Sequence, residues 1–366
     1  MQYLFILGNN PELSRAEIIA LLPRAKVITG GEKYLAVEAD KFDCFKLMKR
    51  LGGTIKIGVV LGKNPDYGPI LGAANSSAVT GKFKFGVSFY GVKKNNFGLK
   101  AKKILKERGI SARLVESKED ALSAVIVTKE KCQDFIIAPG IFALIAAVQN
   151  FVAFGQRDFG RPASDSLSGM LPPKVARMMV NLAGLADDEV LLDPFCGSGT
   201  ILAEALDLGF TNLIGADLSA KAVSDTKKNL AWLAGKLNLK NCNLKIEQLN
   251  VKQLTEKIPN ETINAIVTEP FLGQPMRGNE REETVKKIIN ELEKLYSESF
   301  AQFHQALKAG GHVVIVIPEW HIGGRVMKMD IFSAIERLGF KRLDRDNLIY
   351  KREGQKVWRK ITIWEK

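Results

Sequence analysis

Over the first 62 residues the apolar positions alternate between strand and helix periods. They predict a strand at 3–7, a helix at 12–21, strands at 25–29 and 34–38, a helix at 41–50 and a strand at 54–61. This β-α-β-β-α-β order predicts a ferredoxin-like α+β domain over residues 1–68. Gly68 to Gly81 is rich in small and turn residues, carries no charge, and reads as a linker or long loop. A second unit over 81–155 follows. It has a strand at 83–89, a helix at 96–108, strands near 111–115 and 123–127, an apolar strand ending at Ile136-Ile137-Ala138, and a buried helix from Phe142. Phe159 to Pro173 is turn-rich, and 156–185 reads as a connector with a linker helix. From about 174 the pattern becomes α/β. Apolar strands at 189–193, 212–216, 243–248, 263–267 and 311–317 are separated by amphipathic stretches, so 186–366 is expected to be a Rossmann-like, doubly wound, mostly parallel sheet. Arg342 to Trp364 reads as two extended segments joined through 351–355, an antiparallel C-terminal hairpin that a dehydrogenase domain would not have.

Composition narrows the class. A chain of 366 residues with 46% hydrophobic content is an ordinary multi-domain globular protein. Phe135 to Gln156 runs 22 residues without a charge, long enough to cross a bilayer, but Pro139-Gly140 and Gln149-Asn150 interrupt it, so no membrane span is expected. The first residues lack the basic segment and long apolar run of a signal peptide, which points to the cytoplasm. Cys44, Cys132, Cys196 and Cys242 form no close pair, and His304, His312 and His321 lack turn-spaced partners, so reduced thiols and no metal are expected.

Charge changes the picture more. Of the net +13, +10 lies in residues 1–150. Gly81 to Arg108 alone holds nine basic side chains, including Lys93, Lys94, Lys100, Lys102 and Lys103, against Glu107 as its one acid. Cations that cluster instead of alternating with acids suit phosphates, and Phe83, Phe85, Phe89, Tyr90 and Phe97 lie among them. At strand spacing Phe83, Phe85 and Phe89 are expected in the core, which leaves the lysines as the candidate RNA contact. The C-terminal Lys351, Arg352, Lys356, Arg359 and Lys360 could also touch RNA, although their alternation with Ile361 and Ile363 equally fits a solvated strand face.

The chemistry is densest at Val190 to Thr200. A buried strand ends in Asp193 and is followed by the loop Pro194-Phe195-Cys196-Gly197-Ser198-Gly199-Thr200 and a helix from Ile201. Glycines let backbone approach a ligand, and a helix start offers free amides. A dinucleotide fingerprint would place a third glycine at 202, where this chain has Leu202, and an acid at the strand end would repel pyrophosphate. An ammonium-bearing nucleoside, S-adenosylmethionine, fits better. Asp217 closes the next strand, 20 residues after Gly197, where a carboxylate can accept from ribose hydroxyls.

Asp193-Pro194-Phe195-Cys196-Gly197-Ser198-Gly199-Thr200 resembles the cofactor loop of class I S-adenosylmethionine-dependent methyltransferases, especially the THUMP-domain tRNA guanine-N2 methyltransferases. So do Tyr3-Leu4-Phe5-Ile6-Leu7-Gly8 with Pro11-Glu12-Leu13-Ser14, Arg157-Asp158 with Arg161-Pro162, Met170-Leu171-Pro172-Pro173-Lys174, and Tyr350 with Arg352, Gln355 and Val357. The resemblance implies a THUMP-like RNA-binding module at 81–155 and tRNA or another structured RNA as partner; the oligomeric state is left open, with a monomer favoured. It also implies that Asp193, Gly197 and Gly199 line the methionine side, that Asp217 holds the ribose, and that Leu218 flanks the adenine with Asn250 and Val251 near its amine. Phe195, Cys196, Ser198 and Thr200 belong to the same loop, and Arg161 to the RNA-facing set.

The family ends its next strand in Asp-Pro-Pro-Tyr or a close variant. Here 263–267 runs into Thr268-Glu269-Pro270-Phe271-Leu272. An acceptor for the amine hydrogens and an aromatic face are what amine methylation requires, so Glu269, Pro270 and Phe271 are the candidate catalytic set. Glutamate is one carbon–carbon bond longer than aspartate, about 1.5 Å, and Leu272 stands where the family has its aromatic residue. Phe271 either clamps the base or lies in the core. The expected reaction is methyl transfer to guanosine N2. Adenine-N6 methylation, a degenerate binding protein and, more distantly, a nicotinamide dehydrogenase are the alternatives.

Overall fold

The computed structural model describes residues 1–76, 81–163, 170–239, 241–344 and 347–366, arranged as two compact units, Met1–Phe151 and Val152–Lys366. Positions 77–80 of the expected linker, 164–169 of the connector and 345–346 near the C-terminus lie outside the described residues.

In the first unit the chain forms β1 (Gln2–Leu7), α1 (Pro11–Leu21), β2 (Lys26–Gly31), β3 (Tyr34–Glu38), α2 (Cys44–Arg50), β4 (Thr54–Gly62), α3 (Gly68–Ser76), β5 (Phe83–Phe89), α4 (Phe97–Glu107), β6 (Ala112–Leu114), α5 (Ala124–Glu130), β7 (Gln133–Ala138) and β8 (Ile141–Val148). All eight strands share one sheet in the order β2-β3-β1-β4-β8-β7-β5-β6, so both expected N-terminal segments contribute to a single sheet. Its first four strands are antiparallel in the predicted split β-α-β order. β1 is buried on both faces. Tyr3, Phe5 and Leu7 pack on Ile18, Met48 and Leu51, while Leu4 and Ile6 meet Tyr34, Ile136 and Ile141.

Three expectations are corrected here. The segment from Phe142 is strand β8, not a helix. Gly140 takes φ +67° and reverses the chain so that Ala138 pairs with Ile141, which makes the uncharged run a hairpin of buried strands. Residues 124–130 are helical, not extended, because the Ser123 hydroxyl accepts from the Ile126 amide and caps α5. The linker opens as helix α3, begun by Asp66 accepting from the Gly68 amide and held by Ile70 and Ala74 against Phe83, Phe97 and Phe142. Among the described residues no helix is long and apolar enough to cross a membrane.

The second unit contains α6 (Phe151–Phe159), α7 (Pro173–Leu182), β9 (Val190–Asp193), α8 (Thr200–Asp207), β10 (Asn212–Asp217), α9 (Ala220–Lys236), β11 (Asn243–Gln248), a 3-10 helix (Val251–Glu256), β12 (Ile263–Thr268), α10 (Glu282–Ala306), β13 (Leu307–Ile322), β14 (Arg325–Lys328), α11 (Phe332–Arg337), β15 (Lys341–Arg342), β16 (Ile349–Tyr350) and β17 (Val357–Glu365). The sheet runs β11-β10-β9-β12-β13-β17-β15. Its first five strands are parallel, and β17 inserts antiparallel to β13. That arrangement is the class I methyltransferase architecture that the motifs imply. The chain moves outward from β9 in one direction through β10 and β11 and in the other through β12 and β13. The carboxyl ends of β9, β10 and β12 therefore meet at a topological switch point, where open α/β sheets bind ligands. β13 is longer than expected: Thr268 pairs with Ile315, so Val316 to Ile322 continue past the end of β12 and pair with β17 and β14.

A buried ion network fixes α8 behind the switch point. Arg157 of α6 donates to Glu204 through Nε at 2.5 Å, Arg177 of α7 donates to the other Glu204 oxygen at 2.7 Å, and both guanidiniums reach Asp207. Both also lie over the Phe154 ring. Burial pushes the Glu204 carboxyl up, against the pull of two guanidiniums. The connector's charged residues thus hold the helix that starts at Thr200.

Candidate functional site

The loop after β9 is shaped by its own backbone. Gly197 and Gly199 take φ +53° and +83°, and a Cβ at Gly199 would meet Thr226 of α9 at 3.0 Å, so both conformation and space select glycine there. The Gly199 amide donates to the Cys196 carbonyl (2.7 Å) and the Cys196 amide to Ala216 (2.9 Å), joining the loop to β10. Thr226 donates to the Gly197 carbonyl (2.8 Å), and Asn229 donates to the Ser198 carbonyl (2.8 Å). Cys196 is buried, its thiol pushed well up by burial, and Phe195 packs on the core. Arg161 donates to the Thr200 hydroxyl at 2.7 Å, so this connector arginine reaches the loop's helix start.

Three carboxylates face this region. Asp193 is 1% exposed and accepts from the Thr268 hydroxyl (2.7 Å) and the Phe195 amide (3.2 Å). Both bonds fall on Oδ1, and among the described residues none donates to Oδ2. Burial pushes this carboxyl up to about 7, and the charges of Asp217 and Glu269 push the same way. Asp217 accepts from the Gly197 amide and the Ser219 amide, each at 2.9 Å. Leu218 beside it is exposed, and its carbonyl accepts from Gln248. Asn250 caps the 3-10 helix by accepting from the Lys252 amide, and Val251 is buried in the core. A strand end rimmed by Asp193, Asp217 and Glu269 suits a positively charged ligand and opposes a pyrophosphate.

At the end of β12, Glu269 is not the exposed loop glutamate that its residue type suggests. It forms an ion pair with Arg359 of β17, which is 5% exposed. Burial raises the Glu269 carboxyl, while Arg359 and then Arg352 pull it down. Pro270 is buried. Phe271 is 53% exposed, which removes it from the core and leaves a ring face available; its carbonyl lies 3.4 Å from the Tyr296 hydroxyl, which also donates to Val316. Leu272 is half-buried.

Arg359 is the residue missed from the candidate set. Its neighbours alternate polar and apolar, which concealed that its own face of β17 is buried under the reaction loop; neither a solvated face nor an RNA contact describes it. Thr268, Thr226 and Asn229 were missed because an uncharged hydrogen-bonding residue leaves no sequence signal. The lysines lie elsewhere: Lys93, Lys94, Lys100, Lys102 and Lys103 are all exposed in the first unit, on α4 and the loop before it. There, Lys94, Asn95, Asn96 and Glu119 help line a cleft of about 250 Å³.

Comparison with known proteins agrees with this geometry. The model of the family described as RMKL-like, methyltransferase domain matches residues 161–339. A tRNA (guanine(10)-N2)-dimethyltransferase of Methanocaldococcus jannaschii is 34% identical over 154 residues, 41% of this chain and 38% of that protein, so the match spans well under half of that relative. A probable tRNA (guanine(10)-N2)-dimethyltransferase of Methanothermococcus thermolithotrophicus is 33% identical over 124 residues, 32% of this chain and 70% of that protein. Among solved structures, TrmN from Thermus thermophilus covers 100% of both chains with a TM-score of 0.54 at 16% identity, which shows a shared fold.

Proposed function

Because the chain belongs to the tRNA guanine-N2 methyltransferase family, we propose that it transfers a methyl group from S-adenosylmethionine to the exocyclic N2 amine of a guanosine in folded RNA, with tRNA as the substrate class. The observation that carries this reading is the set of three carboxylates at the switch point, one of them, Asp193, with an oxygen that accepts no hydrogen bond among the described residues. When bound, S-adenosylmethionine supplies an electrophilic methyl group on a cationic sulfur. Asp193 and the Gly197–Gly199 backbone would hold its amino-acid end, Asp217 its ribose, and Leu218 with Asn250 its adenine.

Glu269 orients the acceptor base. An ionised carboxylate only accepts hydrogen bonds. The guanine edge offers two donors side by side, N1–H and the N2 amine, whereas adenine sets an acceptor, N1, beside its amine. An ionised Glu269 therefore matches guanine and opposes adenine, and the exposed Phe271 ring supplies a stacking face for an extruded base.

A cationic ligand stabilises the ionised form of Asp193, so binding lowers a carboxyl that otherwise titrates at about 7. Affinity for S-adenosylmethionine should rise as pH increases from 5.5 towards about 7 and level off above it, with proton release on the acid side. Calorimetry in buffers of different ionisation heat checks this. Flat affinity with no proton release, or heat with NADH instead, contradicts the assignment.

The exposed lysines of α4 and its preceding loop are proposed to grip the RNA backbone. Replacing Lys100, Lys102 and Lys103 by Gln should reduce the log–log salt slope of tRNA binding by up to about three, one per lost phosphate contact. An unchanged slope in a salt titration removes these residues from the RNA interface.

A further inference from the structure

We propose that Arg359 is a positioning residue of the reaction loop: by pairing with Glu269 it keeps that side chain an acceptor-only carboxylate, and so sets both the acid limit of methyl transfer and the preference for guanine over adenine. This rests on the role given to Glu269 above.

The geometry joins the antiparallel hairpin to the end of β12. Arg359 Nε donates to Glu269 Oε1, and the Arg359 guanidinium lies 5.8 Å from the centre of the Tyr350 ring. Tyr350 is placed in turn by Arg352, whose Nε donates to the tyrosine oxygen at 2.6 Å. Arg359 is 5% exposed, so its charge meets Glu269 with little solvent between them. Register requires this encounter. Arg359 pairs with Pro318 on the part of β13 that continues past β12, which brings a side chain from β17 up to the residue after Thr268. The added reach of glutamate over aspartate then has a structural use: the longer side chain spans to a cation supplied by the hairpin.

Several other groups act on the same carboxylate. Arg352 pulls it down from the hairpin, Asp193 at the end of β9 is of like charge, and buried Tyr296 on α10 is itself pushed up by burial and by Glu269. With Arg359 removed, burial and Asp193 favour the protonated form, and Arg352 is the cation among the described residues that still opposes it. A protonated carboxyl presents one donor beside one acceptor, the pattern that complements adenine's N1 and amine and mismatches guanine. Arg359 contacts Glu269 directly, and the influence proposed for it acts through that side chain.

The test is the pH profile of single-turnover methyl transfer to tRNA from pH 6 to 9 for wild type, R359Q and R359K, with products identified as nucleosides and cofactor binding measured alongside. For R359Q the acid limb should move up by about one to three pH units, as expected for loss of an adjacent opposite charge. Its rate at pH 7 should fall about tenfold or more and recover towards wild type by pH 9. Its ratio of methylated adenine to methylated guanine at pH 7 should rise. R359K keeps the charge and should keep the wild-type limb, with kcat lowered by the poorer fit of an ammonium and KM for tRNA unchanged. If R359Q does not fold, a shifted limb in R359K overturns the proposal. So does an R359Q rate lowered by one constant factor at every pH with an unchanged product ratio, the behaviour of a merely structural residue. A wild type that methylates no guanine instead sinks the reading of Glu269 itself, whatever the variants do.

Discussion

Glu269→Gln is expected to slow methyl transfer to guanosine by about a hundredfold or more, while S-adenosylmethionine binding stays within about threefold of wild type. The amide nearly preserves shape but replaces one acceptor oxygen by a donor, so one of guanine's two adjacent donors meets an N–H group. It also removes the negative charge of Glu269 from the Arg359 guanidinium, which is 5% exposed. Both effects disturb the placement of the amine, where misalignment by about 1 Å costs about a hundredfold. Single-turnover rates with labelled cofactor, read against binding of the same cofactor by calorimetry, separate this from a folding defect. Equal rates for wild type and variant would show that another group orients the base.

The largest stability effect should come from the first unit. Lys56 and Asp134, both 0% exposed, are joined at 2.6 Å between β4 and β7, the strands that flank β8. Lys56 also donates to the Leu122 carbonyl (2.6 Å), and Ser88 donates to the other Asp134 oxygen (2.7 Å), so each buried charge has its opposite and a further hydrogen bond. Removing one partner leaves an uncompensated buried charge. Asp134→Ala should therefore lose about 3–5 kcal/mol of unfolding free energy in this unit, whereas replacing both partners, Lys56→Met with Asp134→Leu, should lose clearly less. Urea denaturation followed by probes in each unit measures both. A single variant within about 1 kcal/mol of wild type would mean that the lysine sheds its proton or reaches solvent at little cost.

Where a local pattern had one physical meaning, the sequence was a good guide. The alternating first unit to Thr54–Gly62 and the strands at β9 to β12 were readable because apolar period and burial coincide there. The glycine loop was readable because only glycine suits its backbone. Legibility failed at β8, where a short apolar run fits a buried strand or a buried helix equally and Gly140 decides between them through a turn. It failed again at α5, where the Ser123 cap outweighed the β-branched Val125-Ile126-Val127. The residues of the site divide the same way. Asp193 and Asp217 are visible because each closes a strand, and Glu269 because it directly follows one. Arg359 lies 90 positions from its partner, and only the antiparallel insertion of β17 brings the two together.

The proposed reaction, methylation of the N2 amine of guanosine in tRNA, is open to direct test. The most direct measurement incubates the purified full chain with labelled S-adenosylmethionine and unmodified tRNA, digests the RNA to nucleosides and identifies the labelled species by mass. N2-methylguanosine, lost with Glu269→Gln, is the predicted product; N6-methyladenosine as the labelled species, or no label in any nucleoside despite cofactor and tRNA binding, would contradict it.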